Sequence, residues 1–243
     1  MIGRKSVIGI AVLCALAPSA FAAASASAEQ RAVTCAPEGS GFSDAHCTTA
    51  GSPGTFSHVN IPNGEATAIT GGNEKTASNT TAASVAKLKG ALSGVETEVQ
   101  CTTVGGSGEL TNTATSVSGS GTIEYTGCTV TKPAGKGCVV KGGAVTTEKL
   151  AATTVGQAAN NVKFTPAGET NFAVIPIEGC SIAALNNNFP VTGSLVATAT
   201  GATLSTTHAG VTTQNTLKFG GVKAGLEGAI TISKAGGNPI TLT

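Results

Sequence analysis

The sequence predicts an all-β fold, an antiparallel β-sandwich or barrel stapled by three disulfides, on three features. Apolar and polar residues alternate with period two over several stretches, the pattern of strands with one buried face. Gly, Pro and Asn clusters separate these stretches at short intervals, with no helical pattern between them. Six cysteines, an even number, follow an N-terminal leader, as in exported disulfide-bonded domains.

The chain opens MIGRKSVIGIAVLCALAPSAFAAASASA. Arg4 and Lys5 form a positive start and Val7 to Leu16 a short apolar run. Ala20-Phe21-Ala22 and Ala26-Ser27-Ala28 are small-residue cleavage sites. This is the layout of a secretory signal peptide over residues 1–28, cut after Ala28, and it predicts a secreted, extracellular protein. The run is shorter than the ~20 apolar residues that span a bilayer. Cys14 sits inside it, behind Leu13 where a lipobox carries a small residue, and is expected to leave with the leader. Two of the 14 basic residues leave too, against 13 acidic ones. The mature net charge of about −1 and the lack of like-charge runs argue against a nucleic-acid binder or a polybasic membrane-surface segment.

Residues 29–243 are predicted to form one secreted β domain, with two sub-sheets softly divided near 141–160. The segment from Ser52 to Thr81 is polar and rich in Gly, Thr and Asn, a long loop or a meander of weak strands. It contains Asn79-Thr80-Thr81, a formal N-glycosylation sequon. SVAKLKGAL (84–92) reads as a strand rather than a short helix, because Gly90 and Gly94 weaken a helix. VETEVQC (95–101) alternates Val95, Thr97, Val99 and Cys101 against Glu96, Glu98 and Gln100. GTIEYTGCTV (121–130), GCVVKGG (137–143), NVKFTP (161–166), FAVIPIEGC (172–180) and PVTGSLVATAT (190–200) follow, and then TLKFGG (216–221). The longest alternation is VKAGLEGAITIS (222–233), with Val222, Ala224, Leu226, Gly228, Ile230 and Ile232 on one face. Turns are expected at Pro133 to Gly137, Pro166 to Gly168, Asn186 to Asn188, Gly220-Gly221 and Gly236 to Pro239. An outer-membrane barrel would need aromatic girdles, and 3% aromatic residues with no Trp cannot build them.

The mature cysteines are Cys35, Cys47, Cys101, Cys128, Cys138 and Cys180. Six cysteines admit about 15 connectivities. Loop length favours Cys35–Cys47 and Cys128–Cys138, leaving Cys101–Cys180 as a long-range staple. The rival pairing keeps Cys35–Cys47 and joins Cys101 to Cys128 and Cys138 to Cys180.

GFSDAHC (41–47) is the most chemically dense stretch. Ser43, Asp44 and His46 supply the residue types of a hydrolytic triad, with His208 as a second candidate base. Triad members are defined by geometry, and neighbours in sequence rarely converge. GFSDA lacks the closing glycine of a nucleophile elbow. Zinc would need C-x-x-C-like spacing and thiolates, so no metal site and no cofactor is expected. The expectation for GFSDAHC is a disulfide-closed loop, with Ser43 and Asp44 making turn hydrogen bonds and Phe42 as a buried anchor. His58 and His208 read as solvated loop residues, and Glu96 with Glu98 as a solvent face.

GFSDAHC, GTIEYTGCTV and TLKFGGVKAGLEGAITI (216–232) resemble a group of uncharacterised exported proteins of high-GC actinobacteria. The resemblance runs over most of the mature chain. It implies export and a β fold and carries no activity or binding residue.

The function expected from these features is a non-enzymatic structural or binding role at or outside the cell surface, with a partner located there. One alternative is a small-ligand carrier, since a small barrel can enclose one ligand. The other is a secreted hydrolase using His46 or His208. Sugar binding is disfavoured, because sugar faces stack on exposed aromatics and the core is expected to claim most of the few present.

Overall fold

The computed structural model describes residues 30–45, 47, 49–73, 86–155, 160–206 and 215–243. The predicted leader, His46, Asn79 and His208 lie outside them. Nineteen strands form among the described residues. The first three are β1 (Ala32–Phe42), β2 (Phe56–Asn60) and β3 (Thr67–Asn73). Two hairpins follow, β4 (Ala86–Leu92) with β5 (Val95–Cys101), and β6 (Thr103–Asn112) with β7 (Val117–Thr126). Three short strands come next: β8 (Thr129–Lys132), β9 (Val139–Val140) and β10 (Ala144–Thr146). Then come β11 (Leu150–Val155), β12 (Asn161–Pro166) and β13 (Asn171–Glu178). After them run β14 (Asn187–Thr192), β15 (Leu195–Thr200) and β16 (Thr203–Thr206). The chain closes with β17 (Lys218–Phe219), β18 (Val222–Lys234) and β19 (Ile240–Leu242).

The predicted all-β fold takes the form of a closed antiparallel barrel, with pairings that close two circuits sharing one strand. The first ring runs β3, β6, β7, β11, β12, β15 and β16 and closes through the C-terminal half of β18. The second runs β4, β5, β8, β9, β13, β14 and β17 and closes through the N-terminal half of β18. Both rings take strands from either side of residues 141–160. β10 pairs with β7 outside the circuits, and β19, β1 and β2 form a separate three-stranded sheet.

Local chemistry sets the breaks between strands. AKLKGAL (86–92), the described part of SVAKLKGAL, is strand, as predicted, and Ser93 and Gly94 turn it into β5 with φ of 48° and 79°, the left-handed pair of a two-residue hairpin. PVTGSLVATAT is two strands, because Gly193 at φ 99° turns the chain from the second ring into the first. GTIEYTGCTV divides likewise at Gly127. The polar segment after Ser52 contains β2 and β3.

The three disulfides join Cys35 to Cys47, Cys101 to Cys128 and Cys138 to Cys180. The expected Cys128–Cys138 and Cys101–Cys180 pairs are therefore corrected to the rival pairing. Register, not loop length, decides. Gln100 pairs with Thr129, which brings Cys101 opposite Cys128 with Cα atoms 4.0 Å apart. Glu178 pairs with Val139, which brings Cys180 beside Cys138 at 4.1 Å. Thr129 faces Val139, so Cys128 and Cys138 lie on opposite sides of that pair along their strands.

Two cores fill the rings. The second ring packs Leu92, Leu185, Leu217 and Phe219 almost without exposure, and Phe189 meets Phe219 edge-on with ring centres 5.9 Å apart. A second cluster joins Leu110, Val117, Val162 and Ala199 of the first ring to Ala32, Ile240 and Leu242 of the three-stranded sheet and to Ile61, just after β2. That sheet thus covers one end of the first ring. Asn112, at the end of β6 and fully buried, fastens it there. Its Oδ1 accepts from the Ala32 amide at 2.9 Å, and its Nδ2 donates to the carbonyls of Ala32 (2.9 Å) and Ile61 (2.7 Å). One side chain thereby bonds three backbone groups, of which the Ala32 carbonyl also accepts from the Ile61 amide at 3.3 Å, so that the buried amide polar atoms are all used.

Candidate functional site

The dense GFSDAHC stretch is a self-bonded loop. The Asp44 carboxylate accepts from the Thr49 amide at 2.6 Å, and Ser43 Oγ donates to the Thr49 carbonyl at 3.3 Å. The Ser43 amide donates to the same carbonyl at 3.0 Å, and Cys47 is tied back to Cys35 on β1. These are the turn bonds expected of Ser and Asp. Phe42 is half-buried rather than a core anchor, with its ring centre 4.5 Å from that of His58. His58 is exposed on β2, a strand rather than a loop. The two candidate bases, His46 and His208, lie outside the described residues, so the triad geometry of Ser43 and Asp44 has no described third member. Among the described residues no group of three or more His, Cys, Asp or Glu stands close enough to hold a metal.

The Glu96 and Glu98 pair needs a correction. Glu96 is exposed and meets Lys132 at 2.6 Å. Glu98 is buried instead of facing solvent, with Thr131 Oγ1 donating to it at 2.6 Å and Lys89 Nζ at 3.4 Å. The Thr131 hydrogen bond, with help from Lys89, holds its pKa below the usual carboxylate value against the opposing effect of burial. This is a structural ion-pair network, with all its charges partnered.

The feature that sequence reasoning missed lies inside the first ring. A cavity of about 120 Å³ opens between the covering sheet, at Ile240 and Leu242, and the junction with the second ring, at Ile123 and Ile230. Its walls include Val162, Phe164, Ile232 and Leu204, with Ala152 and Thr154 from β11. The room comes from glycine. Gly106 and Gly108 on β6 and Gly119 and Gly121 on β7 border it, with Gly71 on β3. Gly108 sits opposite Gly121, and the strands approach so closely that a Cβ at Gly108 would stand 2.2 Å from the Ser120 carbonyl oxygen. A Cβ at Gly121 would stand 2.4 Å from that of Ser107. The signal in the sequence is a glycine every second residue, in GGSGEL and again in SGSGTI, which marks one bare strand face.

The outer surface of this ring has the opposite character. Thr122, Ser107, Thr70 and Ser233 stand in register across β7, β6, β3 and β18, and the first three are exposed. An apolar interior within a hydroxyl-bearing exterior is the reverse of a lipid-embedded barrel, which is apolar outside and polar within. No helix among the described residues is long and apolar enough to cross a membrane.

Comparison with known proteins finds no matching family model, no matching curated protein and no matching solved structure.

Proposed function

We propose that this protein is a secreted, non-enzymatic binding protein that holds a small apolar molecule inside its first ring. The single observation that carries this reading is the apolar cavity walled by inward glycines. Proteins pack their interiors densely, and voids beyond the size of a water are few. Dry apolar cavities of roughly 150 Å³ accept small apolar guests, and this one is of that order. Five inward glycines keep the wall bare where larger residues would fill it. Export is supported by the leader-like N-terminus and by three disulfides, which persist in oxidising compartments.

The test is binding of benzene and of hexane to the mature protein, followed by chemical shifts of cavity methyls. Saturable shifts at Ala152, Val162 and Leu204 are expected. Ala152→Phe should fill the cavity, abolish the shifts at Val162 and Leu204 and leave the fold intact. If neither probe perturbs these methyls, the reading is wrong.

A further inference from the structure

Two smaller cavities lie beyond the junction, each sharing wall residues with its neighbour. One, of about 60 Å³, adjoins the first-ring cavity, bordered by the same Ile123, Phe164, Leu204 and Ile230. A further cavity of about 60 Å³ inside the second ring shares Tyr125, Phe172 and Leu226 with that one. The three lie in sequence along β18. Ile232 and Ile230 border the first, Ile230 to Leu226 the middle one, and Leu226 the last. Six residue steps at ~3.3 Å make this a run of roughly 20 Å. A compact molecule has no use for three small volumes in line, whereas an unbranched hydrocarbon chain can thread them.

Among the described residues, the polar side chains bordering the two smaller cavities are few and uncharged. Tyr125, the only tyrosine of the chain, borders both of the smaller cavities. Thr147 borders the last and Thr206 the middle one. Among the described residues, Lys and Arg are absent from these linings. Glu109 is exposed, at an outward position between the inward Gly108 and Leu110. A carboxylate drawn into this run would be buried without a cation, at a cost of several kcal/mol. A neutral oxygen would instead find hydroxyl donors.

We infer that the ligand is an unbranched hydrocarbon chain bearing a neutral oxygen, an alcohol or an ester, laid along β18 with that oxygen at the Tyr125 hydroxyl. This rests on the reading of the first-ring cavity as a binding site and extends it to a ligand class. Burial pushes the Tyr125 pKa up to about 12, so its hydroxyl keeps its proton and donates.

The experiment titrates the mature protein with butanol, octanol, dodecanol, dodecane, cyclohexanol and dodecanoate, by calorimetry and chemical shifts. Affinity for the linear alcohols should rise about fourfold per added methylene, the equivalent of burying one CH₂. Dodecanol should exceed dodecanoate. Tyr125→Phe should weaken dodecanol roughly fivefold, one net hydrogen bond, and leave dodecane unchanged. Ile230→Trp, which fills the wall shared by the first and middle cavities, should remove the gain in affinity with chain length. Cyclohexanol binding as tightly as dodecanol would overturn the linear ligand while keeping the cavity reading. Dodecanoate binding as tightly as dodecanol would overturn its neutral character. Failure of every apolar probe would overturn both proposals.

Discussion

Glu98 shows how a single side chain can tie stability to pH within the second ring. Its neighbours on β5 alternate as a half-exposed strand would, yet it is buried against Thr131 and Lys89. Its folded pKa lies below its unfolded value of ~4.3, so it adds stability above that pH. The contribution is lost as pH falls through the lower, folded value. Thr131→Val removes the largest cause of the shift. The variant should lose ~1–2 kcal/mol at pH 7, and its acid unfolding should begin at higher pH than that of the wild type, as read by urea titrations from pH 7 to pH 3. The burial was not legible in VETEVQC, because alternation reports which residues share a face and not what covers it. Thr131 covers this face only because β8 pairs with β5 across a register shift at Glu98. The opposite holds for Ser43 and Asp44. Their turn bonds are local chemistry, and local chemistry was readable.

The elements divide in the same way. β18 and β12 were plain in sequence, since each alternates without a break. β6 was not. TVGGSGELTN has only glycine at the two middle positions of its inward face, Gly106 and Gly108, between Val104 and Leu110, and a stretch rich in Gly and Ser reads as loop by composition. Only its pairing with β3 and β7 makes it a strand. Its glycines are there because two backbones must pass closely, and that is testable. Gly108→Ala places a methyl against the Ser120 carbonyl and should cost ~1–3 kcal/mol or prevent closure of the ring. Gly72→Ala on β3 meets open space and should be neutral or gain up to ~1 kcal/mol. Chemical denaturation of the two variants side by side checks the contrast.

For the whole molecule, loop length was the wrong guide to disulfide pairing because the rings interleave along the chain. Around the second ring, sequence-adjacent pairs such as β4–β5 and β13–β14 alternate with junctions between separated segments, β5–β8 and β9–β13, and the register at those junctions brings Cys101 to Cys128 and Cys138 to Cys180. The shared strand also couples the rings energetically. Leu226→Ala, on β18 at the junction, should lower the stability of both rings together by ~2–3 kcal/mol. Hydrogen exchange at β15 amides in the first ring and β13 amides in the second should report the same loss. Protection lost in one ring alone would show that they open separately. β18 has a further consequence for how the protein is made. Every other strand of both rings precedes it in the chain, and neither circuit closes until it arrives. A nascent chain emerging N-terminus first therefore presents two incomplete rings with open edges until β18 is made. Neither ring reaches its native closure before residues 222–234 have emerged, so both sets of open edges must be kept from pairing elsewhere while they wait.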